Sequence, residues 1–247
     1  MKQLILHIPH SSIDIPNMKG YQVSKQTLEA ELIKLTDWYT DDLFQNKTDN
    51  DITAPFSRIF CDTERFSEDE KEVMSKFGMG VLYTTLDNGS QMRKVSPDLR
   101  EIILSKYYWK HHNKLEKAVD DCIKEQGKCF IVDCHSFPNL PLERALDNKP
   151  NRPDINIGTD AFHTPKHSVL LSEKFFKDRG FSVGTDWPYT GSMVPTKHYQ
   201  KDKRVSSILI EINRRLYLEE GTNEKSRRYR EIKLVIQDYL RMLRSVC

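Results

Sequence analysis

The sequence contains no apolar run long enough to cross a membrane. The N-terminal apolar run Leu4-Ile5-Leu6 is interrupted at once by His7, whereas a membrane span needs ~18 apolar residues and a signal-peptide core ~7–15. Net charge is also scarce, since 38 basic and 36 acidic side chains leave only +2. That balance gives no whole-chain attraction for nucleic acid or a membrane surface. We therefore expect a soluble cytoplasmic protein with neither as its partner.

Several common cofactor and nucleophile motifs are also missing. The five cysteines are odd in number and form no Cys-x-x-Cys pair, which argues against a disulfide framework and a thiolate zinc knuckle. We expect buried or incidental thiols at Cys61, Cys122, Cys129, Cys134 and Cys247. Residues 78–80 lack the third glycine of a dinucleotide fingerprint, and the sequence has no Walker loop, His-Glu-x-x-His pair or Gly-x-Ser-x-Gly elbow. These four templates are therefore excluded.

Short β-type apolar runs alternate with longer helical patterns, which is typical of an α/β fold with helices on both faces of a sheet. No repeat or flexible linker divides the chain, so we predict one domain over residues 1–247. Predicted strands are 3–8, 59–61, 80–84, 129–134, 181–183 and 206–212. Predicted helices are 24–45 (single or broken into a pair), 97–126, 168–178 and 223–244. Residues 138–165 and 185–202 are predicted to be long loops, which are usually functional in a compact domain.

Histidines follow or end two of the predicted strands. Ligands bind beyond the carboxyl ends of strands in open α/β sheets, so these positions are where a site is expected. His7 lies within the first strand and is interpreted as a satisfied, half-buried histidine, while His10 lies beyond it and is free to reach outward. His135 is the better metal candidate, because zinc binds neutral imidazole and the nearby Asp133 can orient the ring. A strand-end cap is the alternative for Asp133.

One acid and several basic residues complete the candidate chemistry. Glu211 follows an apolar run, and burial there would raise its pKa towards the range of a general base. A buried salt bridge to Arg214 or Arg215 is the alternative, although adjacent strand positions do not face one another. Arg58, beside a predicted strand end, suggests an acidic substrate, with surface ion pairing as the alternative. His112, on a predicted helix, can line a pocket.

Taken together, these segments resemble the N-formylglutamate amidohydrolase family, which is related in fold to zinc carboxypeptidases and aspartoacylase-type deacylases. The resemblance lies in seven segments in sequence order, at residues 9–12, 36–41, 57–65, 107–112, 133–137, 154–159 and 211–217. It implies a zinc-exopeptidase-like, three-layer α/β/α fold with a mixed central sheet. It also implies one catalytic Zn²⁺ and hydrolysis of the N-acyl amide of a small acidic amino acid such as N-formylglutamate.

The resemblance implies that His10 and His135 are zinc ligands. Carboxypeptidases carry a glutamate ligand three residues after the first histidine, but this sequence has isoleucine there. Another carboxylate must therefore complete a set of three protein ligands. Asp37 is the first choice, with a helix N-cap as its alternative role, and Asp62 and Asp14 follow.

By the same resemblance, Glu211 would be the general base and later the proton donor. Our own hypothesis adds Arg58 or His198 as the donor to the oxyanion. Arg65 would bind a substrate carboxylate. Further substrate-binding candidates are Arg214, Asp62 and His112. Glu64 stands where the relatives carry asparagine, and this acid beside Arg65 keeps another N-acyl amino acid or a small acidic peptide as the alternative substrate. A catalytically inactive ligand-binding relative is the third possibility.

Overall fold

A six-stranded mixed sheet forms the centre of the computed structural model, which describes residues 3–246. Its strands are β1 (Ile5–Ile8), β2 (Asn50–Thr53), β3 (Cys129–Phe137), β4 (Ile155–Gly158), β5 (Val183–Thr185) and β6 (Val205–Asn213). They lie in the order β2-β1-β3-β6-β4-β5. β2, β1, β3 and β6 run parallel, whereas β4 is antiparallel to β6 and β5 is parallel to β4. β1, β3 and β6 end at one edge of the sheet, and β4 begins there. We call this the C-terminal edge.

Helices cover both faces of this sheet. They are α1 (Lys25–Leu35), α2 (Thr40–Phe44), α3 (Pro97–Ile103), α4 (Trp109–Gln126), α5 (Lys166–Lys177) and α6 (Tyr229–Val246). The apolar sides of α2, α5 and α6 pack against one face, and α4 packs against the other. The predicted three-layer α/β/α architecture with a mixed sheet is therefore confirmed. Within residues 3–246, no helix combines the length and apolar character needed to cross a membrane.

The alternation of side chains along the strands decides which residues face α4. Val132 of β3 packs in the core beneath α6, while Ile131 packs beneath α4. Because successive side chains point to opposite faces, every second residue from Ile131 onward also lies on the α4 face. Towards the C-terminal edge this face becomes polar. Its polar strand residues there include His7, Asp133, His135 and Glu211.

Several predicted elements differ from the observed ones. Residues 59–61 and 80–84 are not strands, because their apolar side chains fill two smaller cores from turns and irregular backbone. β2 was not predicted, and β4 lies in the proline-containing stretch predicted to be a loop. Residues 24–45 form the broken pair α1 and α2. The predicted helix 97–126 consists of α3 and α4 joined by a π-helical turn, Leu104–Tyr108.

The cysteines lie in the core, as expected. All four within the described residues are free and buried, at Cys61, Cys122, Cys129 and Cys134. Cys247 lies outside the described residues. Burial raises the pKa of the thiols of Cys61 and Cys134 well above the ordinary value, so neither is an activated nucleophile.

Candidate active site

A cavity of about 650 Å³ opens at the C-terminal edge of the sheet, within the usual size range of a small-molecule site. It lies beyond the ends of β3 and β6, where ligands of α/β sheets bind. Six of the predicted site residues line it, namely Arg58, Arg65, His112, His135, Glu211 and Arg214. The structure therefore brings these six residues together around one cavity.

His10, Asp37 and His135 converge beside this cavity, and of the three His135 is in its lining. Oδ2 of Asp37 lies 3.0 Å from Nδ1 of His135 and 3.7 Å from Nδ1 of His10, and the three donor atoms lie within 4.8 Å of one another. Nδ1 of His10 is buried and has no hydrogen-bond partner among residues 3–246. Leaving such an atom unpaired is costly. Two imidazoles and one carboxylate are a donor set of catalytic zinc sites, so these residues fit a metal ion.

Asp37 is held by a basic residue and by backbone, and it is not a helix cap. Nη2 of Arg214 donates to its Oδ1 over 2.9 Å, and the Ser136 backbone N–H donates to its Oδ2 over 3.2 Å. The N-cap position of α2 belongs to Tyr39. Burial opposes ionisation of Asp37, but the neighbouring His10 and the other positive groups hold its pKa well below the ordinary value. The carboxylate is therefore ionised and directed at the two histidines.

Asp62 lies behind His10 and not in the cavity lining. Its Oδ1 is 2.9 Å from Nε2 of His10, and its Oδ2 accepts hydrogen bonds from Arg58 and from the Tyr83 hydroxyl. The prediction that Asp62 binds substrate is wrong, because both carboxylate oxygens are engaged by protein groups. This arrangement directs the unpartnered Nδ1 of His10 towards Asp37.

Asp133 has the corresponding position behind His135. Its Oδ1 lies 3.2 Å from Nε2 of His135 and 2.7 Å from Nδ1 of His7. The other ring nitrogen of His7 lies 2.9 Å from Nε2 of His111 on α4. Asp133 is therefore part of a buried chain of polar groups that fixes the His135 ring, rather than a strand-end cap. His7 belongs to the same chain and is fully buried.

Glu64 joins the two groups of histidines and lines the cavity. Its Oε1 lies 3.0 Å from Nε2 of His135, and its Oε2 lies 3.7 Å from Nδ1 of His10. With His7 and Asp133 it forms a second group of possible ligand atoms. Nδ1 of His7 already has a hydrogen-bond partner in Asp133, at 2.7 Å, whereas Nδ1 of His10 has only ionic contacts of 3.7 Å. Sequence reasoning treated Glu64 as a departure from the relatives and missed its contact with the histidines.

Glu211 ends the apolar part of β6, paired in register with His135 of β3 and Asn156 of β4. Its Oε2 is buried and finds no hydrogen-bond partner in the described part of the chain. Burial raises the pKa of Glu211 to about 8, although the charge of His135 opposes the shift. The alternative of a salt bridge is wrong, because Arg214 and Arg215 pair with other acids. A carboxyl group with this pKa and a free oxygen can accept and return a proton.

Comparison with known proteins decides the family. The family model of N-formylglutamate amidohydrolases matches residues 2–218. The chain belongs to the N-formylglutamate amidohydrolase family. The family also supports an amidohydrolase activity, and the resemblance inferred from the seven sequence segments is confirmed.

Two solved structures share the fold. N-formylglutamate amidohydrolase from Ralstonia eutropha JMP134 is 22% identical, with a TM-score of 0.86 over 99% of this chain and 94% of that one. A gene product from Agrobacterium tumefaciens is 16% identical, with a TM-score of 0.67 over 98% of this chain and 91% of that one. No curated protein sequence matches the chain. At these identities, the two structures establish the fold of this N-formylglutamate amidohydrolase family member.

Two predicted substrate-binding residues of this amidohydrolase face the cavity with free polar atoms. Nε of Arg65 lies 3.6 Å from Asp62, and its Nη1 lies 3.8 Å from Glu72, which leaves the guanidinium without a short hydrogen bond to either acid. Nε2 of His112 is buried without a partner among the residues that the structure describes. Burial lowers the pKa of His112 to about 4, so the ring is neutral at pH 7. Arg65 thus offers a charged donor and His112 a neutral ring nitrogen.

The other two arginines predicted for the amidohydrolase site differ in how far they are engaged. Arg214 donates through Nε to Ser136, through Nη1 to the Lys34 carbonyl and through Nη2 to Asp37. Its predicted substrate-binding role is corrected, because these bonds make it a support for Asp37. Nη1 of Arg58 lies 3.8 Å from Asp37 and the residue lines the cavity, so it remains available as an oxyanion donor.

The structure does not bring His198 or Asp14 to the amidohydrolase site. Nε2 of His198 lies 3.0 Å from Asp120 and Nδ1 lies 3.3 Å from Asp202, and the residue does not line the cavity. Both ring nitrogens are thus engaged by carboxylates, which corrects the predicted role of His198 as an oxyanion donor. Asp14 is exposed and does not belong to either group of possible ligands.

Proposed function

We propose that this protein is a Zn²⁺-dependent amidohydrolase that cleaves the N-formyl-type amide of an acidic amino acid such as N-formylglutamate. Family membership supports the reaction class. The observation that carries the proposal is Nδ1 of His10, which has no hydrogen-bond partner in the described chain and lies beside Asp37 and His135. His135 lines the cavity together with Glu211, whose Oε2 is also without a hydrogen-bond partner there. One group of donors fits a metal, and the nearby carboxyl group fits a general base.

The three donor atoms would hold the ion, with Asp62 and Asp133 orienting the two histidine rings. When bound, zinc supplies a Lewis acid that polarises an acyl carbonyl and lowers the pKa of a water molecule towards ~7. Arg214 fixes the orientation of Asp37 through its Oδ1. The positions of the donor side chains therefore depend on protein contacts that are independent of the ion.

Glu211 provides the proton transfers. Its ionised carboxylate takes a proton from the attacking water as the water oxygen bonds to the acyl carbon. The proton then passes from Glu211 to the amide nitrogen as the carbon–nitrogen bond breaks, which releases formate and the free amino acid. Arg58, at the cavity wall, donates to the oxyanion that develops on the acyl oxygen.

The remaining side chains orient the amino acid part of the substrate. Arg65 is adjacent in sequence to Glu64, which contacts both histidines, so we assign it the α-carboxylate near the scissile bond. His112 lines the same cavity and provides a neutral donor or acceptor. A cavity of about 650 Å³ has room for an N-acyl amino acid.

The Glu211→Gln variant tests this function. We expect it to bind zinc as the wild type does and to lose at least about 100-fold in turnover, because glutamine cannot accept the proton. Formate and glutamate release from N-formylglutamate, with metal content measured on the same samples, provide the readouts. The exposed Glu219→Gln is the matched control. Substantial residual turnover in Glu211→Gln would exclude the proposed base.

A different N-acyl substrate is the second candidate, and Glu64 is the observation that favours it. Its carboxylate in the cavity would repel an acidic substrate placed near His10 and His135. Release of formate, acetate and amino acid from a panel of N-formyl and N-acetyl amino acids and small acidic peptides separates the two candidates. A protein that holds no stoichiometric zinc and gains no hydrolysis on metal addition would instead be an inactive ligand-binding relative.

A further inference from the structure

Arg152 carries a buried positive charge without an acidic partner. The residue is 2% exposed, yet no carboxylate within residues 3–246 lies within 4.0 Å of its guanidinium. Its donors reach only neutral acceptors, the carbonyls of Pro138 (3.4 Å) and Asp147 (3.0 Å) and the Tyr189 hydroxyl (3.2 Å). Its Nε has no partner among those residues. Burying an unpaired charge is costly, and Arg152 lines the cavity, so an anion that enters the cavity can offset this cost.

The other cations that line the cavity differ from Arg152 in this respect. Each of them has a carboxylate oxygen within 4.0 Å of a side-chain nitrogen. These cations are Lys34, Arg58, Arg65, Arg144 and Arg214. Aromatic contact does not replace the acid at Arg152, because its guanidinium carbon lies 5.5 and 6.0 Å from the nearest two ring centres, close to the ~6 Å limit of a cation–π contact. Among the lysines and arginines of the described chain that line the cavity, Arg152 is thus the one without an acidic partner. It is available to bind an anion that enters the cavity.

The direction of β4 brings Arg152 to the site. Because β4 is antiparallel to β6, the residues before β4 lie at the C-terminal edge, where Glu211 is paired with Asn156. The Asn156 side-chain amide donates to the Tyr189 carbonyl, and the hydroxyl of the same tyrosine accepts from Arg152. Arg152 is therefore connected to the cavity wall that carries Glu211. Arg65 instead lies near Asp62 and Glu72.

We propose that Arg152, supported by Tyr189, binds the side-chain carboxylate of a dicarboxylic amino acid substrate. This inference rests on the proposed function. Arg65 adjoins Glu64 and hence the histidines, so it is suited to the α-carboxylate, which is closer to the scissile nitrogen. Arg152 is joined to the site through Tyr189 and is suited to the more distant carboxylate. A guanidinium fork binds a carboxylate in a bidentate manner.

The test compares substrates that differ in one charge. For the zinc-loaded wild type, Arg152→Gln and Arg93→Gln, kcat/KM is measured on N-formylglutamate and N-formylglutamine. The glutamate-to-glutamine ratio of kcat/KM should fall about 10- to 100-fold in Arg152→Gln, the effect of losing a charge-assisted hydrogen-bonded pair. Arg93 is the matched control, because it too is buried and without an acidic partner in the described chain but does not line the cavity. Its variant should keep the wild-type ratio.

Binding provides a second readout that does not depend on turnover. Calorimetric titration of the same proteins with glutarate and with butyrate measures the preference for a second carboxylate. We expect the wild type to prefer glutarate and Arg152→Gln to lose that preference. If the wild type hydrolyses no N-acyl amino acid, the proposed function fails, and this comparison alone decides the role of Arg152: an unchanged preference overturns it, and a lost preference supports it.

A structural role for Arg152 would give a different pattern. Equal losses on N-formylglutamate and N-formylglutamine in Arg152→Gln would overturn the proposal. If that variant does not fold, Arg152→Lys replaces it, since lysine keeps the charge but not the planar fork. The ratio should then fall about 3- to 10-fold, and an unchanged ratio in a folded Arg152→Lys would overturn the proposal as well.

Discussion

At the residue scale, ionisation of the buried Glu211 should lower the free energy of unfolding of the metal-free protein. Burial raises its pKa from 4.5 to about 8, so the folded protein binds a proton that the unfolded chain has lost between these pH values. Stability therefore falls as pH rises through this range. We predict that metal-free Glu211→Gln is more stable than the metal-free wild type by about 2–5 kcal/mol near pH ~9, and that the gap closes towards pH ~5. Urea unfolding at both pH values measures it, and a gap independent of pH would contradict the pKa shift.

Asp62 offers a second residue-scale prediction, because it holds Nε2 of His10 without reaching the cavity. The variant Asp62→Asn should bind zinc about 10- to 100-fold more weakly, as is usual when the partner of a ligating histidine is changed. Competition with a chelator of known affinity provides the measurement. Asp14→Asn, at an exposed site, is the control. If zinc affinity fell in Asp14→Asn and not in Asp62→Asn, the supporting role would belong to Asp14 and the prediction would be wrong.

Several residues of the candidate site have a local signal in the sequence, whereas their partners do not. His10 follows β1, and His135 and Glu211 lie near the C-terminal ends of β3 and β6, directly after apolar runs, which is a local signal. The engagement of Arg214 with Asp37 depends on two segments far apart in the chain, so no local pattern contains it. The same is true of Arg152, whose burial without an acid is a property of the fold and is not visible in its sequence neighbours.

At the scale of elements, α6 stabilises the sheet through one apolar side. Leu243 is fully buried against the core, whereas Leu234 of the same helix is 66% exposed. We predict that Leu243→Ala lowers the free energy of unfolding by about 2–5 kcal/mol, because it leaves a cavity in the core. The matched Leu234→Ala should change it by less than about 0.5 kcal/mol. Denaturant unfolding measures both, and similar losses would mean that α6 packs differently.

The strength of the local pattern explains which elements were predicted. β3 and β6 have long apolar runs and the longer helices have amphipathic patterns, and each of these elements was predicted, although the last helix begins six residues later than predicted, at Tyr229. β2 is a short edge strand with one buried apolar residue, Ile52, so it lacks the signal of a central strand. Residues 59–61 and 80–84 show the opposite case, in which apolar side chains reach a core without sheet pairing. Short apolar runs do not distinguish these two outcomes.

At the scale of the whole molecule, metal binding should be linked to stability. An ion that binds the folded state and not the unfolded chain raises the melting temperature by mass action. We predict that removing metal with a chelator lowers the Tm of the wild type and that added Zn²⁺ restores it. Asp37→Ala, which lacks the proposed carboxylate ligand, should show no zinc-dependent change. A zinc-dependent rise of equal size in both proteins would place the ion elsewhere.

The antiparallel β4 has a consequence for how this scaffold can diversify. β3 ends and β4 begins at the same edge, on either side of β6, so residues 138–154 leave and rejoin the sheet at anchors about 10 Å apart, two strand spacings. This segment carries Arg152 and none of the residues proposed to hold the metal. Replacing it with a segment of another length or sequence would therefore change the cavity wall and leave the histidine-bearing strands untouched. A library of such loop grafts is a direct route to new substrate ranges on an unchanged hydrolytic frame.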